Sequence, residues 1–333
     1  MAEPSPLHTL FLPFTEGFLS WSDKTLFLGA RSHPDLQKAY LWQGFKPYVD
    51  ELAAQNFAAT PDMPQDRDFD SALCLVPKQV EEAKFWLAGA LEHLKIGGTL
   101  IAAAANDANG SRLQKWFDEA GLINIRSESK NKSRVVWGVK TGLAPESWME
   151  NGAVRLHDFD DGIQLKTQPG LFSWDRVDRA SRLLAENFPP ALSGHIADFG
   201  CGYGYLSFMA AANHPKIEKM TLVEADKRAL DCAAENLKDH DIVPCWHDAT
   251  KPLPCEGPFD YILMNPPFHM GKKTDVDLGQ AFIRMAAMHL KKGGSLTLVA
   301  NTHLPYEAVL EQVLKNVKLV VQKNGFKILR AVK

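Results

Sequence analysis

Two short motifs in the second half of the chain combine residue types suited to holding a cofactor and a reactive amine. The first, I-A-D-F-G-C-G-Y-G at residues 196–204, is an apolar run that ends in an acid and a glycine-rich loop. Glycine lets the backbone turn sharply and approach a ligand closely. The second, N-P-P-F at residues 265–268, follows another apolar run. Because open α/β folds bind ligands at the carboxyl ends of parallel strands, we expect both motifs at one edge of the same sheet.

Three acids follow short apolar runs in this half, and we expect them to bind the same ligand: Asp198, Glu224 and Asp248. Glu224 comes about twenty residues after the glycine loop, the position from which an acid binds ribose hydroxyls. The loop reads G-x-G-x-G, whereas the dinucleotide pattern G-x-G-x-x-G would need a glycine at Tyr205. Since this much negative charge repels a pyrophosphate, S-adenosylmethionine fits the site better than NAD does.

The N-P-P-F motif predicts chemistry at an exocyclic aromatic amine, whose nitrogen lone pair is delocalised into the ring. The amide oxygen of Asn265 and the backbone carbonyl of Pro266 can both accept N–H hydrogen bonds, and proline adds no competing N–H donor. Phe268 would stack on a flipped-out base, as base-modifying enzymes require. Because Asn265 is not a strong base, we expect the rate to come mainly from positioning and electrostatics.

Alternating apolar and amphipathic segments must position these motifs. In the second half the pattern predicts strands separated by helices, which is typical of a mostly parallel sheet. Asn324 and Gly325 lie between two alternating segments and predict an antiparallel hairpin at the end of the chain. The segment that contains Phe172 leads into a helix that should cover the cofactor. The strands are predicted at residues 196–199, 219–224, 242–245, 259–264 and 295–300, and the helices at 176–187, 203–213, 227–239 and 277–292.

These motifs resemble, in the same order, those of the class I S-adenosylmethionine-dependent methyltransferases. Further segments resemble the bacterial RsmC-type ribosomal RNA guanine-N2 methyltransferases of the small subunit and, less closely, their large-subunit relatives. The resemblance covers residues 162–333 with specific motifs and the first half more faintly. The segments that carry it are L-K-T-Q-P-G-L-F-S at 165–173, N-P-P-F-H-M-G-K-K-T-D at 265–275, A-N-T-H-L-P-Y at 300–306 and F-K-I-L-R-A at 326–331.

The resemblance implies methyl transfer from S-adenosylmethionine to the exocyclic N2 amine of one guanine in small-subunit (16S) ribosomal RNA. The expected partner of the protein is ribosomal RNA or the small ribosomal subunit. The expected catalytic residues are Asn265, Pro266, Pro267 and Phe268. The residues expected to contact the cofactor are Phe172, Asp198, Gly200, Cys201, Gly202, Glu224, Ala225, Asp248 and Asn265.

Several other activities stay open at this point. The same chemistry could act on a large-subunit ribosomal RNA guanine. A DNA adenine-N6 methyltransferase would share the glycine loop, but it usually carries a target-recognition domain, of which the sequence shows no sign. A protein glutamine-N5 methyltransferase uses N-P-P-Y, where this chain has Phe268. A non-enzymatic RNA chaperone or ribosome-assembly factor with a decayed site is disfavoured by the intact acids, glycines and Asn265.

The two halves of the chain match each other at ordered points, which indicates a tandem duplication. F-D-S-A-L-C-L-V-P-K at residues 69–78 matches F-D-Y-I-L-M-N-P-P-F at 259–268, and L-K-I-G-G-T-L at 94–100 matches L-K-K-G-G-S-L at 290–296. Each half then ends in a basic strand pair. We therefore predict an α/β protein of two tandem Rossmann-like class I methyltransferase domains. Each should hold a mostly parallel seven-stranded sheet with an antiparallel terminal hairpin.

In this alignment the first half lacks the residues proposed to act, so its domain should be degenerate. Leu75 takes the place of Asn265, and the loop near Gly29 has no acid–glycine cluster. We expect residues 1–145 to bind no cofactor, to pack against the catalytic domain and to hold RNA. Residues 152–333 should form the catalytic domain, with a linker at residues 145–152 because few apolar residues occur there.

Composition narrows the class of protein further. The 333 residues are 45% hydrophobic, which is enough for two domains with separate cores. The five cysteines form no C-x-x-C pair and the start has no signal-peptide pattern, so we expect a cytoplasmic protein. The longest apolar run, near residues 100–105, is too short to span a bilayer. The histidines lack metal-ligand spacing, so we expect no metal, and we expect a monomer.

The net charge of −3 does not indicate nucleic-acid binding, but the local charge does. Lys272 and Lys273 follow the catalytic motif, and we predict that they contact an RNA phosphate beside the target base. Two longer basic runs are less specific, because most such runs are solvated faces. The first run contains Arg126, Lys130, Lys132 and Arg134, and the second contains Lys315, Lys318, Lys323, Lys327, Arg330 and Lys333.

Overall fold

The structure, a computed structural model, describes residues 6–254, 257–267 and 273–333, without the side chains of residues 161 and 273–275. The chain divides into two compact units, Met1–Ala153 and Val154–Lys333. Two residues assigned from the sequence, Phe268 and Lys272, lie outside the described residues. Lys273 is described only by its backbone, as the first residue of a helix.

The first unit is built on one seven-stranded sheet. Its strands are β1 (Thr25–Leu28), β2 (Tyr40–Trp42), β3 (Ala59–Thr60), β4 (Phe69–Leu75), β5 (Leu94–Ala105), β6 (Ile123–Lys130) and β7 (Ser133–Val139). The sheet order is β3-β2-β1-β4-β5-β7-β6, with β1 to β5 parallel and β7 antiparallel to both of its neighbours. Its helices are α1 (Pro6–Leu10), α2 (Leu12–Thr15), α3 (Lys46–Ala53), α4 (Val80–His93), α5 (Leu113–Glu119) and α6 (Glu146–Gly152).

The second unit begins with a two-stranded hairpin, β8 (Arg155–Asp158) and β9 (Gln164–Thr167). The strands of its main sheet are β10 (Gly194–Phe199), β11 (Ile217–Glu224), β12 (Ile242–Trp246), β13 (Phe259–Met264), β14 (Leu290–Asn301), β15 (Lys315–Lys323) and β16 (Phe326–Val332). The order, β12-β11-β10-β13-β14-β16-β15, repeats that of the first sheet. Its helices are α7 (Arg179–Ala185), α8 (Tyr205–Asn213), α9 (Lys227–Asn236), α10 (Lys273–His289) and α11 (Tyr306–Val313).

The repeat extends to the register of the strands. In the first sheet Phe69 pairs with Leu94, and after an irregularity Ser71 pairs with Thr99. In the second sheet Phe259 pairs with Leu290, and after the same irregularity Tyr261 pairs with Ser295. The duplication and the fold class predicted from the sequence are therefore confirmed.

Both central strands bury side chains on both faces, as strands do when helices cover both sides of a parallel sheet. In β1, Leu26 and Leu28 belong to one apolar cluster and Phe27 to another on the opposite face. In β10, Ala197 and Phe199 lie in one cluster. The intervening position on the other face is Asp198, which is 1% exposed.

A shared ion pair fixes the same point of each sheet. Asp70, the second residue of β4, pairs with Lys95 at the start of β5. In the second unit Asp260 accepts two hydrogen bonds from Lys291, at 2.9 and 2.8 Å. A carboxylate and a lysine therefore hold the start of two neighbouring strands together in both halves, whether or not that half carries the predicted site.

The terminal hairpin of each unit closes with a two-residue turn. Asn324 and Gly325 have φ angles of 52° and 82°, as a type I′ turn requires. The expected hairpin is thus present. Its counterpart uses Asn131 and Lys132, with φ angles of 55° and 56°. Lysine in this left-handed region costs about 1 kcal/mol, so the first hairpin is the more strained of the two.

Two local expectations differ from the structure. Residues 146–152, expected as part of a linker, form α6 because Trp148 is buried in the first unit's core. At Gly152 an added Cβ would lie 2.2 Å from the Cβ of Phe85, so a larger residue would push this helix away. The helix expected at 176–187 begins later, at Arg179, because Asp178 caps it.

No helix in the described part of the chain is long and apolar enough to cross a membrane. The longest helix of the second unit, α10, is amphipathic and buries Ile283 and Ala286 in the core.

Candidate active site

The glycine loop joins β10 to α8 and is held by the neighbouring strand. The backbone N–H groups of Gly200 and Cys201 both donate to the carbonyl oxygen of Val223, at 2.8 and 3.1 Å. Gly200 has a φ of 75°, a conformation that favours glycine. Gly204 has a φ of 89°, and a Cβ there would lie 3.0 Å from the Cβ of Ala233 on α9. Glycine thus allows both the turn and the close packing of α8.

Asp198 is a buried carboxylate of which one oxygen accepts a hydrogen bond and the other has no partner among the described residues. Its Oδ2 accepts a hydrogen bond from the hydroxyl of Ser207 at 2.7 Å. Its Oδ1 is buried and has no hydrogen-bond partner among the described residues. Burial raises the pKa of Asp198 to about 7, although the bond from Ser207 opposes the shift. A buried acceptor without a donor costs free energy, so the site favours a ligand that brings an N–H group.

Glu224 ends β11 and ties the glycine loop to that strand. Its Oε2 accepts a hydrogen bond from the backbone N–H of Gly202 at 2.8 Å. Its Oε1 accepts from the backbone N–H groups of Ala225 and Asp226, at 2.7 and 2.9 Å. Burial raises the pKa of Glu224, while these three donors oppose the shift by stabilising the charge. The carboxylate is therefore held in one orientation at the strand end.

The carboxylate of the third acid, Asp248, contacts residues of the turn that follows it. Its Oδ1 accepts from the backbone N–H and the hydroxyl of Thr250, at 3.0 and 2.6 Å. Its Oδ2 lies 3.6 Å from the ammonium of Lys251. The preceding strand is joined to the Glu224 turn by Trp246, whose indole N–H donates to the carbonyl oxygen of Ala225 at 2.8 Å.

Asn265 follows β13, one strand away from the glycine loop. Its side-chain nitrogen donates to Oδ2 of Asp178 at 3.0 Å and to Oγ of Ser181 at 2.8 Å. Asp178 caps α7 by accepting the backbone N–H of Ser181 at 2.8 Å. Pro266 is buried, and Pro267 is exposed. The amide nitrogen is thereby committed to α7, while Oδ1 accepts no hydrogen bond from the described residues.

A cavity lies between the glycine loop, the start of α7 and Asn265. Five of the predicted site residues line it, whereas Asp198, Glu224, Ala225 and Asp248 lie outside its wall. Phe172 is 63% exposed, so it is a cavity residue and not a core residue. The lining residues are Phe172, Ser173, Asp178, Ser181, Gly200, Cys201, Gly202, Tyr203, Tyr205, Leu206 and Asn265.

Sequence reasoning missed the residues that α7 and the loop before it contribute to this wall. Asp178 and Ser181 form a D-x-x-S capping pattern just before an apolar run, which is the signal that could have located them. Tyr203 stacks on Phe159 with ring centroids 5.5 Å apart, and its hydroxyl lies 3.4 Å from the carbonyl oxygen of Ser173. No sequence pattern points to that contact.

The second basic run is only partly available to a partner. Lys327 is 5% exposed, and its ammonium donates to both carboxylate oxygens of Glu307, at 2.6 and 2.8 Å. Arg330 donates to the hydroxyl of Thr297 and the carbonyl oxygen of Asn187. The exposed cations of β15 are Lys315, Lys318 and Lys323.

The described residues contain no cluster of three or more metal-ligating side chains. The strand ends carry three acceptors: the carboxylates of Asp198 and Glu224, which lie outside the cavity wall, and the amide oxygen of Asn265, a residue that lines the cavity. Such a set can bind hydroxyl and amine hydrogens and can orient a nitrogen without removing its proton.

The second unit and the whole chain both resemble known proteins. The family model described as the methyltransferase small domain matches residues 162–330. The chain is 30% identical to the ribosomal RNA small subunit methyltransferase C of Escherichia fergusonii, over 97% of both chains. It is 29% identical to the protein of the same name from Escherichia coli K12, again over 97% of both.

One solved structure matches this chain across the residues of both units. It is the T. thermophilus 16S rRNA N2 G1207 methyltransferase in complex with AdoMet and guanosine. The TM-score is 0.80 and the sequence identity 24%, with 95% of this chain and 89% of that chain covered. This likeness confirms the two-domain methyltransferase fold.

Proposed function

This chain belongs to the methyltransferase small domain family and, over 97% of its length, to the ribosomal RNA small subunit methyltransferases C, and we propose that it methylates the exocyclic N2 amine of a guanine in 16S ribosomal RNA. The methyl donor is S-adenosylmethionine. The observation that carries the proposal is the amide of Asn265, which shares a cavity with the glycine loop and keeps its oxygen for a donor. An oriented acceptor beside a cofactor loop suits an amine substrate.

The chemistry of the acceptors fits this cofactor, which supplies an electrophilic methyl group when bound. The unpartnered Oδ1 of Asp198 suits an amine hydrogen of the cofactor. Oε2 of Glu224 accepts one backbone N–H and retains a lone pair for a ribose hydroxyl. The exposed ring of Phe172 offers an apolar surface for an adenine ring. Cys201 and Gly202 contribute to the wall between these groups.

The protein's part in the transfer is to orient the amine. Oδ1 of Asn265 and the carbonyl oxygen of Pro266 accept the two N–H bonds of the guanine amine. This pulls the nitrogen towards a more tetrahedral form and frees its lone pair from the ring. Since neither acceptor is a strong base, the gain comes from positioning and from electrostatic stabilisation. Pro267 keeps the loop free of a competing N–H donor, and Phe268 stacks on the base.

We further propose that Lys272 and Lys273 contact an RNA phosphate beside the target guanine. Their place four and five residues beyond the catalytic motif in the sequence supports this assignment. Phosphate contacts fix the register of a nucleic acid without reading its sequence. The partner is ribosomal RNA or the small ribosomal subunit, and we propose that the protein acts as a monomer in the cytoplasm.

For the first half, residues 1–145 in the sequence and Met1–Ala153 as a compact unit, we propose a degenerate domain that binds no cofactor and holds RNA. Two observations support this. Leu75 stands where Asn265 stands in the second half. Residues 29–39, all of which the structure describes, contain no helix, whereas α8 follows the glycine loop in the second half.

The proposed activity is tested by mass spectrometry of nucleosides. RNA of both ribosomal subunits, intact subunits and DNA from cells lacking the activity are incubated with the protein and methyl-labelled S-adenosylmethionine. The protein fraction is digested and analysed for methylated glutamine alongside the nucleosides. We expect label in N2-methylguanosine from 16S RNA alone. Label in large-subunit guanosine, in N6-methyladenosine or in protein glutamine would each replace the proposal with the corresponding alternative. If no fraction carried label, an assembly factor without methyltransferase activity would be favoured.

A further inference from the structure

The start of α7 makes more bonds than capping a helix requires. An N-cap residue needs one bond, from its side chain to a backbone N–H of the first turn. Asp178 makes that bond to Ser181. The same oxygen, Oδ2, also accepts a hydrogen bond from the side-chain nitrogen of Asn265. Oγ of Ser181 accepts a second hydrogen bond from that nitrogen. The two extra bonds reach a residue 84 to 87 positions away in the sequence.

The chemistry of these partners fixes which end of the amide faces them. The oxygen and nitrogen of an asparagine amide have the same shape, so hydrogen bonds must decide the orientation. A carboxylate such as Asp178 can only accept, so it requires the amide nitrogen of Asn265. If the amide turned over, Oδ1 would face the carboxylate oxygen without a donor between them. The turned orientation is therefore strongly disfavoured.

From this arrangement we infer that Asp178 and Ser181 are positioning residues that hold Asn265 with its amide oxygen towards the substrate amine. The inference rests on the proposed function. Both N–H bonds of the amide are used by α7, so the amide cannot rotate freely about its last side-chain bond. An acceptor that is already oriented needs no reorganisation during the reaction, which is the condition for strong electrostatic catalysis.

A direct role for the same two residues must be separated from this one. Asp178 and Ser181 both line the cavity, so either could contact the cofactor independently of Asn265. The two roles differ in one measurable respect. If Ser181 acts through Asn265, its loss has no further effect once the Asn265 side chain is gone. If it contacts the cofactor, its loss has the same effect with or without Asn265.

A double-mutant cycle on the full-length protein makes this distinction. We expect Ser181→Ala to lower kcat about three- to tenfold, the scale of one hydrogen bond, with little change in cofactor affinity. In the Asn265→Ala background the same substitution should change kcat less than about twofold. Asp178→Asn should stay within about threefold of wild type, because its amide oxygen can accept both bonds, whereas Asp178→Ala should lose about ten- to a hundredfold.

The control is Gln79→Ala, which removes the N-cap of α4 in the first unit. It matches the structural cost of losing a cap but reaches no residue of the site, so kcat should be unchanged. An equal effect of Ser181→Ala in both backgrounds overturns the inference alone. A wild-type protein that transfers no methyl group to RNA overturns the proposed function and this inference together.

Discussion

The two halves of this molecule have the same sheet and different strand ends. Strand order and register are repeated, and so is the ion pair between β4 and β5 in one half and β13 and β14 in the other. At the end of the central strand, however, the first half has Phe27 and the second has Asp198. The parts that hold the fold together are thus separate from the parts proposed to react, so one set can change without the other.

The two halves also differ at the acid that ends the second strand. In the first half, Gln43 occupies the place of Glu224. In each half two backbone N–H groups of the loop donate to one carbonyl oxygen, that of Trp42 or that of Val223, and the next residue is Gln43 or Glu224. Its Nε2 donates to the carbonyl oxygen of Ala30 at 2.8 Å, and its Oε1 accepts from the backbone N–H of Phe45 at 2.8 Å. The amide still ties the loop to the strand end, but it offers a ribose hydroxyl no charged acceptor.

The space above the first loop is also filled. The Cζ3 atom of Trp86 lies 2.7 Å from the point where a Cβ on Gly29 would be, and its ring meets Trp42 edge-on at 4.8 Å. The nearest side-chain atom at Gly200, from Phe282, is 3.5 Å from the corresponding point. A bulky indole in place of a phenyl ring leaves less room over the loop in the first half.

The largest effect should come from Asn265, which follows β13 and carries the proposed chemistry, and not from its counterpart at the end of β4. We expect Asn265→Ala to lower methyl transfer about 100- to 1,000-fold, the scale for losing one preorganised polar group. Cofactor affinity should change little. Leu75→Ala, the matched change in the first half, should leave the rate within about twofold of wild type. Single-turnover kinetics measure both, and near-normal turnover of Asn265→Ala would show that this residue is structural.

A second test exchanges the acid and the amide between the halves. Glu224→Gln should weaken S-adenosylmethionine binding about 10- to 100-fold, because an NH₂ group would replace one oxygen that faces backbone N–H donors. The reciprocal Gln43→Glu should not create a second site, since Phe27 supplies no acceptor. Titration calorimetry should give one site for wild type and for Gln43→Glu. Two sites in either would contradict the view of the first half as a degenerate domain.

A third test uses pH, because only the second half has a titratable group on its central strand end. Asp198 has a pKa of about 7 in the folded protein, and its ionised form is the better acceptor for a cofactor amine. Binding should therefore release a proton below pH 7, and affinity should fall towards about tenfold per pH unit as the pH drops further. Calorimetry in two buffers of different ionisation enthalpy detects the proton.

Asp198→Asn is the control for that linkage and should remove it. Folding stability depends on pH in the opposite direction to cofactor affinity. Because the folded pKa of about 7 exceeds the ordinary value of 3.8, the cofactor-free protein should lose stability as pH rises from about 4 to 7. Asp198→Asn should flatten this part of the profile. A cofactor affinity that does not change between pH 6 and 8 would contradict a role for Asp198 in binding.

The smallest effect concerns RNA. Replacing Lys272 and Lys273 with alanine should weaken RNA binding and lower its salt dependence by about one unit of slope per lost phosphate contact. Cofactor affinity should stay the same. Lys216→Ala is the control, because that lysine is exposed and precedes β11, at the amino ends of the strands and away from the N-P-P-F motif. Equal salt slopes for all three proteins would remove these two lysines from the RNA interface.

Much of the fold could be predicted because buried parallel strands are continuous apolar runs in the sequence. The strand predicted at residues 259–264 is observed as Phe259–Met264. The glycine loop was predictable for a related reason, since few residues other than glycine adopt its backbone angles. Both signals are local, and neither depends on what the rest of the chain does.

The rest of the site depends on contacts between distant residues. Asp178 and Ser181 look like an ordinary helix cap, and only the folded sheet brings Asn265 to them. Lys327 looks like one more surface cation, but the pairing of β16 with β14 turns it inward, where Glu307 neutralises it. α6 was missed because a short helix with one buried tryptophan has too little periodicity to distinguish it from a loop.

The hydrogen bond between Trp246 and the carbonyl oxygen of Ala225 has an optical consequence. Of the 8 tryptophans in the chain, Trp174 and Trp246 alone lie in the second unit. Indole emission responds to charge and hydration around the ring, and Trp246 is bonded to the turn that carries Glu224. Replacing the other indoles with phenylalanine would therefore leave an intrinsic fluorescent reporter beside the proposed cofactor site, free of any attached dye.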